Sequence, residues 1–222
     1  TTGALITTFN VTLNNRVAAL EVSPNGSTLY VGGSFTSVTV GGSTTTRNRA
    51  AAFTISGVAG GGAPVLTSWN PRPSQPVISI ASTSSTVYLG GDFQMVAGVA
   101  RPNLASVNAT NGAVNIAFNP TLVAPPPTPT TTMTPRVNAI AVAPDGSRVL
   151  VGGSFQTVNG VLTGGMVSLD PTDASLQPWN ANNVGQQPIN TNCGARVTDI
   201  LTQGDTAFVT AEGDPPGCYE GT

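Results

Sequence analysis

Few side chains in this sequence could carry covalent or acid–base chemistry. There is no histidine, which removes the most common general base, the Ser-His-Asp relay and most zinc and copper ligand sets. Asp92, Asp170, Asp173, Asp199, Asp205 and Asp214 stand mostly in or beside turn sequences, where a carboxylate is expected to cap nearby backbone N–H groups. No Glu-rich cluster suited to glycoside hydrolysis is present. Cys193 and Cys218 lie 25 residues apart and match no metal-ligand spacing. A single disulfide is the economical reading, and it implies an oxidising compartment. No catalytic, cofactor or metal site is therefore expected. Asn10, Asn25 and Asn108 open N-glycosylation patterns, but Asn, Ser and Thr are so frequent here that chance accounts for them.

Composition narrows the partners as well. Only 8% of residues are charged, and net charge is −2 with eight basic residues scattered singly. Neither nucleic acid nor an anionic lipid surface finds a basic patch. The longest apolar runs are four to six residues, far short of the ~20 that cross a bilayer as a helix, and they are rich in Val, Ile and Leu. They read as strands. A chain of 222 residues buries roughly 70% of its unfolded surface, enough for one substantial core. It begins at Thr1 without an initiator Met or an apolar leader, which reads as a processed product or a piece of something longer.

Internal repetition fixes how those strands are arranged. Val17, Val77, Val137 and Val197 recur every 60 residues, and Leu20, Ile80, Ile140 and Ile200 keep the same step. A second strand ends in Val31-Gly32-Gly33-Ser34-Phe35, Leu89-Gly90-Gly91-Asp92-Phe93 and Val151-Gly152-Gly153-Ser154-Phe155, whereas the fourth copy, Val209-Thr210-Ala211, lacks the glycines. Glycine pairs after an apolar triplet suit converging strands whose backbones approach closely. They are not a phosphate loop, because no helix follows. Asn25-Gly26 and Asp145-Gly146 supply tight hairpin turns between first and second strands. An Ala-rich or bulky-and-small third strand and a fourth ending in Trp69-Asn70-Pro71, Phe118-Asn119-Pro120 and Trp179-Asn180 complete each unit. The Trp or Phe there is expected to anchor the core.

Val-Gly-Gly-Ser-Phe, the Ala-rich strand and the terminal Trp-Asn-Pro resemble the delta-type sixty-residue β-propeller repeats of secreted and cell-surface bacterial proteins. The Pro-Asp-Gly-Ser turn before an apolar strand is also similar to NHL and YVTN propeller repeats. The resemblance spans nearly the whole chain and implies an all-β propeller of four-stranded antiparallel blades. It carries over no catalytic residue. The family's Arg before the third strand is matched by Arg47 and Arg101, while Thr163 replaces it in the third copy. On this reading residues 1–15 hold the last strand of a preceding blade. Residues 16–75, 76–135 and 136–195 are three complete blades, and residues 196–222 are the first two strands of a further one.

In such blades the first-to-second and third-to-fourth turns share one face, and the second-to-third and fourth-to-first loops share the other. The large insertions all fall on the second face, at residues 39–46, the proline-rich 124–135 and the loop after Trp179. Variable loops on a rigid scaffold are where recognition usually sits. Arg47, Arg49, Arg72, Arg101, Asn182 and Asn183 are the candidate contacts there, and Cys193 and Cys218 map to the same side. The expected function is a non-catalytic, exported scaffold or adhesion module that presents this face to a protein or glycan partner. Two alternatives are the propeller domain of a secreted carbohydrate-active enzyme whose active residues lie elsewhere, and a structural subunit of a surface appendage or filament.

Overall fold

A computed structural model describes residues 6–124, 134–178 and 196–212. Four antiparallel sheets follow one another along the chain, here called blades I to IV, with strands a to d running outward. Blade I has a at Val17–Val22, b at Thr28–Gly33, c at Ala50–Thr54 and d at Val65–Leu66. Blade II has a at Val77–Ser82, b at Thr86–Gly91 and c at Leu104–Asn108, and a single bridge between Val107 and Val114 stands in for d. Blade III repeats this with Arg136–Val142, Val149–Ser154, Met166–Leu169 and a Leu169–Leu176 bridge. Blade IV shows a at Arg196–Gln203 and b at Thr206–Glu212. Strand a of each blade packs against strand a of the next. Sheets stacked side by side through their inner strands are the organisation of a β-propeller.

The glycine pairs owe their identity to two different neighbours. A Cβ on Gly32 would lie 2.6 Å from Val77 Cγ1 of the next blade, and Gly90 and Gly152 meet Val137 and Val197 in the same way. The second glycine faces its own blade. A Cβ on Gly33, Gly91 or Gly153 would overlap the carbonyl oxygen of residue 16, 76 or 136 respectively. That carbonyl leans inward because strand a carries a β-bulge just after Val17, Val77, Val137 and Val197. It then accepts the N–H of the residue after the pair, from Ser34 at 2.8 Å in blade I and Asp92 at 3.0 Å in blade II. Blades I to III therefore each offer a glycine socket on one side, and blades II to IV each carry a Val–Ile wedge on the other.

Aromatic residues close the outer part of these interfaces. Tyr30 and Trp69 of blade I meet edge to face at 5.2 Å. Both donate to the c–d turn of blade II, Tyr30 through its hydroxyl to the Ala109 carbonyl and Trp69 through Nε1 to the Asn108 carbonyl, each at 3.0 Å. Tyr88 and Phe118 repeat the pair at 5.4 Å, and the Tyr88 hydroxyl donates to the Pro171 carbonyl of blade III. Asp92 and Arg136 add a half-exposed ion pair across blades II and III at 3.1 Å, a contribution expected to be small.

Burial, together with the Asp170 carboxylate, pushes the Tyr88 phenol from its ordinary value near 10 up to about 12. Because the folded value is the higher one, the stabilisation is complete below the unfolded phenol's pKa and is lost as pH rises from about 10 to 12. Thermal unfolding across that window is expected to show a decline that Tyr88→Phe flattens. An unchanged slope in the variant would refute the assignment to this group.

Residues 6–10 match residues 115–119 of blade II, and the position matching the Val114 bridge lies outside the described residues. Residues 6–10 themselves form a turn closed by Phe9 N–H donating to the Ile6 carbonyl, and Phe9 is 38% exposed where its counterparts Trp69 and Phe118 are buried.

Candidate functional site

The face that carries the b–c and d–a connections is a second layer of small sheets. In blade I, Val11–Leu13 pairs with Ser37–Val40, which pairs with Ser43–Thr46. In blade II, Pro73 bridges Val96 beside the hairpin of Met95–Val96 and Val99–Ala100. In blade III, Leu122–Val123 pairs with Thr157–Val158, and that with Val161–Leu162. Each hairpin turns through two left-handed residues, Gly41-Gly42, Ala97-Gly98 and Asn159-Gly160, the geometry whose twist matches a β-hairpin. Asn14 Oδ1 accepts from the N–H groups of Thr36 and Ser37, and Ser74 Oγ, 60 residues on, accepts from those of Gln94 and Met95. The connection before each of these two blades thereby clamps the base of that blade's own hairpin.

Alternation along these strands separates structure from display. Val38, Val96 and Val158 point inward and are buried, five residues after each glycine pair. The outward rows differ from blade to blade. They are Thr12, Thr39 and Thr44 in blade I, Met95 and Ala100 in blade II, and Val123, Thr157 and Leu162 in blade III. Met95, Val123 and Leu162 are exposed. Residues 39–46, expected as a long loop, are thus a hairpin, and its equivalents in the other blades were missed. The Asn159-Gly160 pair between Val158 and Val161 was a readable signal for one of them.

The candidate contacts differ in exposure and in partners. Arg101 is only 5% exposed, which corrects its place on the binding face. Its Nη1 donates to the Ala100 carbonyl at 2.7 Å and its Nη2 to the Ile116 carbonyl at 2.9 Å, tying the start of strand c to the outer edge of blade II. Arg47 is half-buried and does the same work in blade I, with Nη2 on the Thr67 carbonyl at 2.8 Å and Nη1 on that of Thr46 at 3.0 Å. Arg49 is half-buried with φ 60, and its carbonyl accepts from Gly33 N–H at 3.0 Å. Asn103 and Gly165 take the same place on Gly91 and Gly153, residue types that tolerate a left-handed backbone more readily than Arg. Arg72 alone of the four is exposed, held at φ 49 between Pro71 and Pro73. Asn182, Asn183, Cys193 and Cys218 lie outside the described residues.

The opposite face has a groove of about 350 Å³ between blades I and II, lined by Ser23, Tyr30, Ala52, Thr67, Ser84 and Thr110 among others. Its hydroxyls at Ser23, Tyr30 and Thr67 already donate to Asn25 Oδ1 and to the Ala109 and Ala52 carbonyls. They hold turns and blades together. Asn25 Oδ1 and Asn108 Oδ1, at two of the glycosylation patterns, likewise accept from backbone N–H groups two or three residues on. Among the described residues no three His, Cys, Asp or Glu side chains come together as a metal-binding group would require, and no helix is long and apolar enough to cross a membrane.

No protein-family model matches the chain, and no curated protein matches it. Solved structures similar to it include the WD40 repeats of RRP9, with a TM-score of 0.48 and 10% identity over 90% of this chain and 47% of that one. Another is the β-propeller domain of Cps50 (Swd1) from Myceliophteria thermophila, with a TM-score of 0.46 and 13% identity over 89% of this chain and 50% of that one. The chain spans about half the length of each.

Proposed function

We propose that this chain is a non-catalytic, exported propeller scaffold whose hairpin face binds a protein or glycan partner. One observation carries the reading: the inward anchors Val38, Val96 and Val158 are the same residue in blades I to III, while the outward rows change from threonine to methionine to valine and leucine. A face kept only for stability would have no reason to hold its frame constant and vary its display. Met95, Val123 and Leu162 expose apolar side chains on the hairpin layers of blades II and III, and Arg72 is exposed on the d–a connection before blade II, a mix that suits a protein strand or a sugar ring.

Screening the chain against displayed peptides and an immobilised glycan panel tests this. Val123→Ser with Leu162→Ser is expected to weaken a selected ligand at least about tenfold, equal to about 1.4 kcal/mol, while leaving thermal stability unchanged because both side chains face solvent. Ser84→Arg in the opposite groove is expected to have no effect on binding. Ligands lost through Ser84→Arg and retained by the hairpin variant would overturn the assignment, as would the failure of both panels to yield any ligand.

A further inference from the structure

The two ends of the row of blades are not equivalent. Where blades meet, a Val–Ile wedge on strand a enters the glycine socket of the preceding strand b: Val77 and Ile80 at Gly32, Val137 and Ile140 at Gly90, Val197 and Ile200 at Gly152. Ile80, Ile140 and Ile200 are 6–7% exposed at these junctions. The corresponding wedge on blade I, Val17 and Leu20 with Val22 beyond them, faces nothing among the described residues, and Leu20 is 64% exposed. At the other end, pairing of Asp199 with Thr210 matches pairing of Ala139 with Gly152, so Thr210 occupies the socket position of blade IV. Phe208 and Leu201, exposed on the same side, take the places of Leu150 and Ala141.

We propose that the Val17–Leu20 face of blade I is a docking surface for one kind of partner, a further blade of this same repeat whose strand b carries the Gly-Gly pair. The surface continues an interface that the chain builds three times with the same wedge. The partner is not a second copy of the chain. The glycine sockets of blades I to III are filled, and at the one remaining socket position among the described residues a Thr Cβ stands where even the methyl of an alanine at Gly152 would meet Val197. Thr210 thus bars head-to-tail joining of copies and gives assembly a direction. This holds whatever the hairpin face binds.

A gain of association tests it. Sedimentation of Thr210→Gly is expected to show self-association at least about tenfold tighter than the parent chain, with Leu20→Asp abolishing the gain and Thr210→Val, which keeps the branched side chain, showing none. No gain in Thr210→Gly, or a gain that survives Leu20→Asp, overturns the proposal. Because glycine can weaken an edge strand, a second design leaves blade IV intact. A copy of residues 76–135 placed ahead of Thr1 is expected to shield a Leu20→Cys thiol from maleimide, and changing Gly90 to Thr within that added copy is expected to restore labelling. Equal labelling of the two chains overturns the proposal independently.

Discussion

Gly90→Ala is expected to destabilise the protein by about 3 kcal/mol, the upper part of the usual range for overpacking a core. The added methyl would enter the space of Val137 Cγ1 and come within 2.9 Å of Ile140 Cδ1. The isoleucine end can swing aside. Val137 cannot, because its β-branched side chain has one stiff torsion and is fully buried. The double variant Gly90→Ala with Val137→Ala should therefore recover much of the loss, giving a large coupling energy in a double-mutant cycle. Gly91→Ala should be as harmful yet beyond rescue at Val137, since its methyl would meet the backbone carbonyl of Pro76. Denaturant unfolding of the parent, the single variants Gly90→Ala, Gly91→Ala and Val137→Ala, and the two doubles with Val137→Ala measures all of this, and strict additivity at positions 90 and 137 would show that the glycine is not there for the neighbouring blade.

Arg101→Ala should cost about 3 kcal/mol, because charge-assisted hydrogen bonds in a buried setting are worth more than neutral ones and their carbonyl partners are left unpaired. The Ala100 and Ile116 carbonyls lose their donors together, and the space of a side chain that is 5% exposed is vacated. Arg101→Lys should recover only part, since an ammonium does not reproduce a planar fork that reaches two carbonyls. Arg47→Ala should cost less, because that side chain is half-buried. Had Arg101 been a ligand contact, its truncation would leave the unfolding midpoint unchanged, and that result would restore it to the binding face.

The sequence by itself carried the fold because the same physical demand is met repeatedly. A wedge valine every 60 residues, a glycine pair opposite it and an aromatic at the outer strand leave few arrangements other than blades in a row. Repetition converts weak local signals into one strong one. The two reasons for the glycine pair leave the same mark in the sequence, since a collision with the next blade and a collision with a bulged carbonyl both demand the same missing Cβ. The bulge itself has no residue signature: Ala18, Ile78, Asn138 and Thr198 share the position.

The proposed recognition face was legible only in part. Loop length marked the side of the blades that carries the longer connections, but not that those connections fold into hairpins, because a strand of two residues such as Val161–Leu162 is too short to show a period. Nor could residue type tell Arg101 from Arg72. Both are arginines near proline on the same side of a repeat, and one is a buried clamp while the other meets solvent. Burial depends on what the rest of the chain lays over a residue. Local sequence determines which strands form and how often they recur. Only their packing decides that Arg101 is covered, that Val38 is an anchor while Leu162 is displayed, and that a threonine at position 210 stands where three other blades hold a space open for a neighbour.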